Sequence, residues 1–276
     1  MTLTYSKTFK SLCLLLFIVS PIIKAQDTIQ NSQITKDSVI SDSLSLSKQV
    51  FNPNDKVYQF KTKKLIIPAV LITYGGLSLA IPALDNLNKS TQNEILEDKT
   101  RGNRFDNYTQ YLPAAAVYGL NLAGVKGKHN LRDRTIIFAT SQVINTSLVM
   151  GLKHTVNEQR PDESNHLSFP SGHTANAFST AQFMFREYQD SNFWLSLAGY
   201  PLAAFTGVYR VINNKHWVGD VVAGAGIGIL STEAAYWLFP TINKWFSPKN
   251  KESKVATMVF PIFQEKQAGI GLVMRF

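Results

Sequence analysis

The stretch "HLSFPSGHTANAF", His166 to Phe178, packs a proline, a serine, a glycine and a histidine into Pro170–His173 and then runs into small and apolar residues. Serine and glycine just ahead of an apolar run mark a helix start. Such a start presents free backbone N–H groups and a partial positive charge, and both suit an anion. If that reading holds, the apolar segments on either side are the walls of a helical bundle. If it fails, the stretch is a loop that happens to carry a histidine.

Working outward, apolar blocks recur on both sides. Leu65–Leu84, Tyr111–Val125, Thr135–Leu152, Thr174–Phe185, Phe193–Tyr209 and Val221–Pro240 each read as helix, the last interrupted only by Glu233. The third is amphipathic through Ser141, Gln142, Asn145, Thr146 and Ser147. These segments predict an all-α core of six helices, with a polar loop over Asp85–Gln110. Gly224 and Gly228 in "AGAGIGI" follow no strand, so they are assigned to close packing of the sixth helix rather than to a nucleotide loop. The end of the chain changes character. "VATMVFPIF" and "GIGLVMRF" alternate like strands and predict a short β-hairpin packed on the bundle, since two strands cannot close a barrel.

The first residues look like a targeting segment. Lys7 and Lys10 precede the apolar run Leu12–Ile23, and small residues near Ala25 offer a cleavage site. This reads as a secretory signal over 1–25, with an uncleaved anchor as the alternative. A flexible polar, serine-rich lead-in follows over 26–64. The helical domain spans 65–243, and 244–276 form the tail with the strands. The one cysteine, Cys13, lies in the apolar run, which excludes a disulfide framework and a cysteine-rich metal site. A net charge of +9 suits an anionic partner, and without a nucleic-acid-binding motif that partner is lipid or phosphate, not nucleic acid.

Three clusters fall at helix junctions: Lys153, Arg160 and Pro161 in "KHTVNEQRP"; Pro170–His173; and Arg210, His216 and Asp220 in "RVINNKHWVGD". In an up-and-down bundle all three gather at one rim. Lys153, Arg160 and Arg210 then balance the charge of a phosphate, the arginines by forked contacts. Ser171 and Gly172 supply the helix start, and Gly172 has no side chain to hold a ligand away from the backbone. Asp220, four residues after His216, could accept its Nδ1–H and leave Nε2 free as a nucleophile. His173 could protonate the leaving oxygen. That chemistry proceeds through a phosphohistidine and calls for no metal and no cofactor. His129, His154 and His166 have no such setting and read as ordinary surface histidines.

Lys153–Arg160–Pro161, Pro170–His173 and Arg210–His216–Asp220 resemble the three-part signature of the type 2 phosphatidic acid phosphatase (PAP2) superfamily, which also holds class A acid phosphatases and vanadium haloperoxidases. Tyr209 stands where that pattern has a serine before the arginine. The resemblance implies a helical bundle, a histidine nucleophile at His216, a histidine acid at His173 and metal-independent phosphate release. Apolar segments beside the site point to an envelope lipid phosphate as substrate: phosphatidic acid, a polyprenyl diphosphate or a lipid A phosphate. A nonspecific periplasmic acid phosphatase, a haloperoxidase and a catalytically dead scaffold are the competing readings.

Membrane association is expected, and its topology is contested by two rules. Basic residues at Lys61, Lys63 and Lys64, in Lys126–Arg134 and in Lys244–Lys254 flank one side of a six-span arrangement. The positive-inside rule places that side in the cytoplasm and the catalytic rim in the periplasm. A cleaved signal followed by six full spans would reverse this.

Overall fold

The structure is a computed structural model that describes residues 55–97 and 104–246, with the backbone of 256–264 and 267–275. The expected signal segment and most of the lead-in lie outside the described residues. Two 3-10 turns, Lys56–Tyr58 and Thr62–Leu65, lead into α1 (Ile66–Ser78). Then come α2 (Pro82–Glu97), α3 (Asp106–Thr109), α4 (Leu112–Leu122), α5 (Leu131–Val156), α6 (Gly172–Tyr188), α7 (Phe193–Leu197), α8 (Gly199–Ile212) and α9 (Val218–Phe246). Beyond them the backbone forms two antiparallel strands, β1 (Ala256–Gln264) and β2 (Gln267–Arg275).

The helical core is all-α, yet its segments differ from the six expected. The block Leu65–Leu84 breaks after Ser78, and α1 and α2 meet at 85°. Pro82 opens α2, a place where its missing N–H costs nothing, and the residue before it resists the helical conformation. Half of the expected polar loop from Asp85 is α2 itself, with Lys89 and Asp85 paired one turn apart at 2.7 Å. Its mixed charge marks a half-exposed helix, not a loop. The block Phe193–Tyr209 divides at Ala198 into α7 and α8, where Gly199 and Pro201 follow.

α6 is the centre of the bundle. Thr174–Ala177, Ser179–Met184 and Arg186–Tyr188 are all buried, so the helix is enclosed on every side by α4, α5, α7, α8 and α9. Close approach to α9 needs Gly224 and Gly228. A Cβ at Gly228 would lie 2.1 Å from Ala175 O, and one at Gly224 would lie 2.6 Å from Ser171 O. The glycines therefore set the distance between the helix that starts at Ser171 and the helix that carries Asp220.

α5 and α9 are long and apolar enough to cross a membrane, and α1 with α2 pass the same test as a bent pair. Asn130 caps α5 by accepting the Asp133 N–H at 2.9 Å. Asn157 ends it in the left-handed conformation, φ +54°, and swings the following loop across the bundle end.

Candidate active site

The end of α5, the start of α6, the end of α8 and the start of α9 meet at one rim, so all three sequence clusters converge. The backbone proves the junction: Ser171 N–H donates to Asp220 O at 3.0 Å, joining the α6 start to α9. Lys153 Nζ donates to the carbonyls of Leu167 at 2.5 Å and Ser168 at 3.2 Å, joining α5 to the loop ahead of α6. Lys153 thus braces the loop while keeping its charge at the rim.

His216 is buried, with Nδ1 3.4 Å from Asp220 Oδ2. That distance suits an ion pair, but the alignment does not make a hydrogen bond, and Nδ1 meets no acceptor among the described residues. Asp220 Oδ2 is taken instead by Ser168 Oγ at 2.5 Å and the Trp217 N–H at 2.9 Å. Those two bonds fix the carboxylate against which a small ring rotation would seat Nδ1–H; catalytic hydrogen bonds often tighten only on binding.

The cations are short of partners. Arg160 Nε and Arg210 Nε are buried and meet no acceptor among the described residues. A buried donor left without an acceptor is costly, and a cluster of them asks for an anion. Burial, with the positive field behind it, depresses both histidines. Burial first, then Arg210 and Lys153 against the help of Asp220, lowers His216 to about 4. Burial and then Arg210, with Arg160 and Lys153 also contributing, lowers His173 to about 4. Both rings are neutral near pH 7 in the free protein.

Ser171 and Gly172 sit as expected at the α6 start. Ser171 Oγ is already used, paired with Thr174 Oγ1 at 2.9 Å, so the hydroxyl is engaged within the helix turn. A Cβ on Gly172 would touch only Val149 Cγ1 at 3.5 Å and Lys153 Cε at 4.0 Å. Protein packing therefore leaves room for a side chain there.

Several residues at the rim escaped the sequence reading. Asp106, on α3, accepts from Arg210 Nη1 at 2.5 Å. Asn107 Oδ1 accepts from His173 Nε2 at 2.8 Å. Thus a carboxylate already sits against a cation of the site, and an amide oxygen occupies the His173 Nε2–H. α2 braces the same region: Asn88 Oδ1 accepts from the Gly219 N–H at 3.1 Å, and Gln92 donates to Pro161 O at 2.9 Å. These residues are separated from the motifs by many positions, and no local spacing announces them. Tyr209, in place of serine, stacks on Phe205 with ring centroids 5.4 Å apart and tilts against Phe105 at 6.4 Å.

His129 corrects the surface assignment. It is buried, with Nδ1–H donating to Glu187 Oε1 at 2.5 Å and Nε2 2.8 Å from Tyr58 OH. At the end of the basic segment Lys126–Arg134, Arg134 is fully buried on Glu187. Among the described residues no group of three or more His, Cys, Asp or Glu is placed to hold a metal.

A helical bundle with basic and imidazole groups gathered at one rim defines a phosphate-handling class of protein, and comparison with known proteins narrows it. The PAP2 superfamily profile matches residues 134–244. Those residues form a PAP2-superfamily domain. A lipid A 1-phosphatase of Porphyromonas gingivalis is 30% identical over 93% of this chain and 57% of its own length. A lipid A 1-phosphatase of Helicobacter pylori is 26% identical over 45% of this chain and 66% of its own length. The chain therefore spans less than two thirds of each of these relatives. The crystal structure of a transmembrane PAP2-type phosphatidylglycerolphosphate phosphatase from Bacillus subtilis aligns with TM-score 0.42 and 19% identity, over 67% of this chain and 99% of that one.

Proposed function

We propose that the protein is a membrane-bound phosphatase that removes the phosphate from an envelope lipid phosphate through a phosphohistidine. The observation that carries this is the convergence of buried, unpartnered Arg160 Nε and Arg210 Nε with His216 at one rim. Lys153, Arg160 and Arg210 hold the non-bridging oxygens, with the Gly172 and His173 backbone at the α6 start facing the same charge. His216 Nε2 attacks phosphorus, the ester P–O bond breaks, and His173 Nε2 gives its proton to the leaving oxygen. Asp220 stabilises the charged ring that forms. Water then attacks the phosphohistidine, returns a proton to His173 and releases phosphate. His173 is neutral in the free protein, so the bound phosphate must restore its proton by supplying opposing charge.

A lipid A phosphate is the favoured substrate, because the relative that aligns over 93% of the chain carries that activity in its name. The two long apolar helices and the exposed aromatic residues beside the rim suit a substrate delivered from a bilayer. The rim faces the periplasm in this reading, with the basic Lys61–Lys64 end toward the cytoplasm. The test is phosphate release from a panel of lipid A and other lipid phosphates by detergent-purified protein in EDTA. Release from lipid A phosphate that disappears in His216→Ala and His173→Ala is expected. Inactivity on the whole panel, or release that survives His216→Ala, would overturn the proposal.

A further inference from the structure

Resting on the phosphatase reading, we infer that Glu158 is a positioning residue that shares a proton with Asp220 and so keeps the His216–Asp220 pair in register. Glu158 lies between the sequence clusters and was assigned no role by its spacing. Its Oε2 is buried and meets no donor among the described residues, and the same is true of Asp220 Oδ1. Ser168 ties the two residues together, its N–H donating to Glu158 O at 3.0 Å and its Oγ to Asp220 Oδ2 at 2.5 Å, so both carboxyl groups lie beside the same loop residue. Two ionised carboxylates cannot satisfy each other, because each only accepts. One proton between them resolves both orphans.

The surroundings place that proton on Glu158. Asp220 Oδ2 already accepts from Ser168 Oγ and the Trp217 N–H, and His216 stands beside it. Those donors favour its charged form. Glu158 is faced by Asp220 from α9 and Asp85 from α2, with Lys153 of α5 the opposing charge. Burial first, then the contact with Asp220, raises Glu158 to about 9. The loop fold supports the contact, since Glu158 O accepts the Ser168 N–H at 3.0 Å while the Ser168 hydroxyl reaches Asp220.

The consequence is a carboxylate held at both oxygens. Ser168 and Trp217 hold Oδ2, and the Glu158 hydroxyl holds Oδ1. Asp220 can then turn only one edge toward the His216 ring. A neutral Glu158 also avoids a second negative charge beside an incoming phosphate.

Two measurements on the full chain in detergent test this. Infrared spectroscopy of the substrate-free protein at pH 7 should show a protonated-carboxyl C=O stretch that Glu158→Gln removes and that titrates away near pH 9 in the wild type. Phosphate release should fall about 10–100-fold in Glu158→Ala, the range found when a partner that orients a reacting group is lost. Glu158→Gln should recover most of that loss, because its amide N–H can still donate to Oδ1. A carboxyl band unchanged by Glu158→Gln, or equal losses in the two variants, overturns the inference. Because the infrared band needs no substrate, a wild type that shows it without releasing phosphate sinks the phosphatase reading and leaves the shared proton standing.

Discussion

The two ends of α6 hold buried polar clusters about 20 Å apart at 1.5 Å per residue, and they are built on opposite plans. At the far end Glu187 is saturated: it accepts from His129, from Arg134 Nε at 3.0 Å and from Tyr236 OH at 2.9 Å. Beside it Glu233 accepts from Arg186 at 2.6 Å and Gln182 at 2.7 Å, with Lys64 at 3.4 Å. At the near end, Arg160 Nε and Arg210 Nε are buried and meet no acceptor among the described residues. Carboxylates answer the charges of the first cluster from within the fold, although Arg134 Nη1 there is also buried without an acceptor among the described residues, and at the near end Arg210 Nη1 has Asp106. The second keeps donors in reserve. Satisfied groups lock helices together, whereas unsatisfied ones mark where a ligand completes the structure.

The difference is sharpest if one residue from each cluster is removed. His216→Ala should lower phosphate release at least ~10³-fold, since no other group can take its place as nucleophile. Its thermal midpoint should fall less than that of Glu187→Ala, because it removes a buried ring without stranding a paired charge. Glu187→Ala should do the reverse. It strands Arg134 and His129 in a dry interior and should cost about 3–5 kcal/mol of stability, read as a lower melting temperature in detergent. The fraction that remains folded should turn over within about threefold of wild type, as expected of distant, uncoupled sites. If Glu187→Ala stops turnover in folded protein, the two clusters are not independent and the comparison fails.

Those two residues also show what the sequence could and could not disclose. His216 is legible because its partners Arg210 and Asp220 lie within one turn and one loop of it, so spacing alone places them together. Glu187 is not, because His129 and Arg134 reach it from 58 and 53 residues away. The one available hint was an ionisable residue in an apolar helix, as with Glu233. The same distance hid Asp106, which meets Arg210 across 104 residues. Apolar runs located the walls of the bundle, but they could not reveal α2, whose mixed charges look like a loop until Asn88 and Gln92 are seen bracing the rim. The bend at Pro82 and the division at Gly199 fall at residues visible in the sequence, but apolar continuity across them reads as one helix in each case.

The reserve of positive charge at the near end also predicts a pH signature. The proposed reaction needs His216 neutral and His173 charged, and both are lowered to about 4. As pH rises from 4 to 7, His216 stays available while His173 loses its proton in the free enzyme. kcat/KM, which follows the free enzyme, should therefore be greatest on the acid side and decline toward neutrality. kcat follows the complex, where the phosphate's charge raises His173, so its decline should begin about two units higher. Profiles of both constants from pH 4 to 9 test this. Coincident limbs would mean that bound phosphate does not complete the charge balance of the site.

The smallest effect concerns the aromatic wall next to the reserve of charge. Tyr209 precedes Arg210 and joins Phe205 and the exposed Phe105 in a cluster beside the rim. A serine there would offer a hydroxyl to phosphate, whereas a tyrosine offers apolar surface and a ring that stacks. If the wall steers a lipid chain, Tyr209→Ser should lower kcat/KM about threefold for a lipid phosphate, the size of one aromatic contact. The same change should weaken a short, water-soluble phosphate ester less, or strengthen it through the added hydroxyl, so the ratio of the two substrates is the reading that matters. An equal fall for both would place Tyr209 with the groups that hold Arg210 in position. The aromatic wall would then belong to the phosphate site itself, and the near end would owe its unsatisfied donors to one continuous surface of charge and stacked rings.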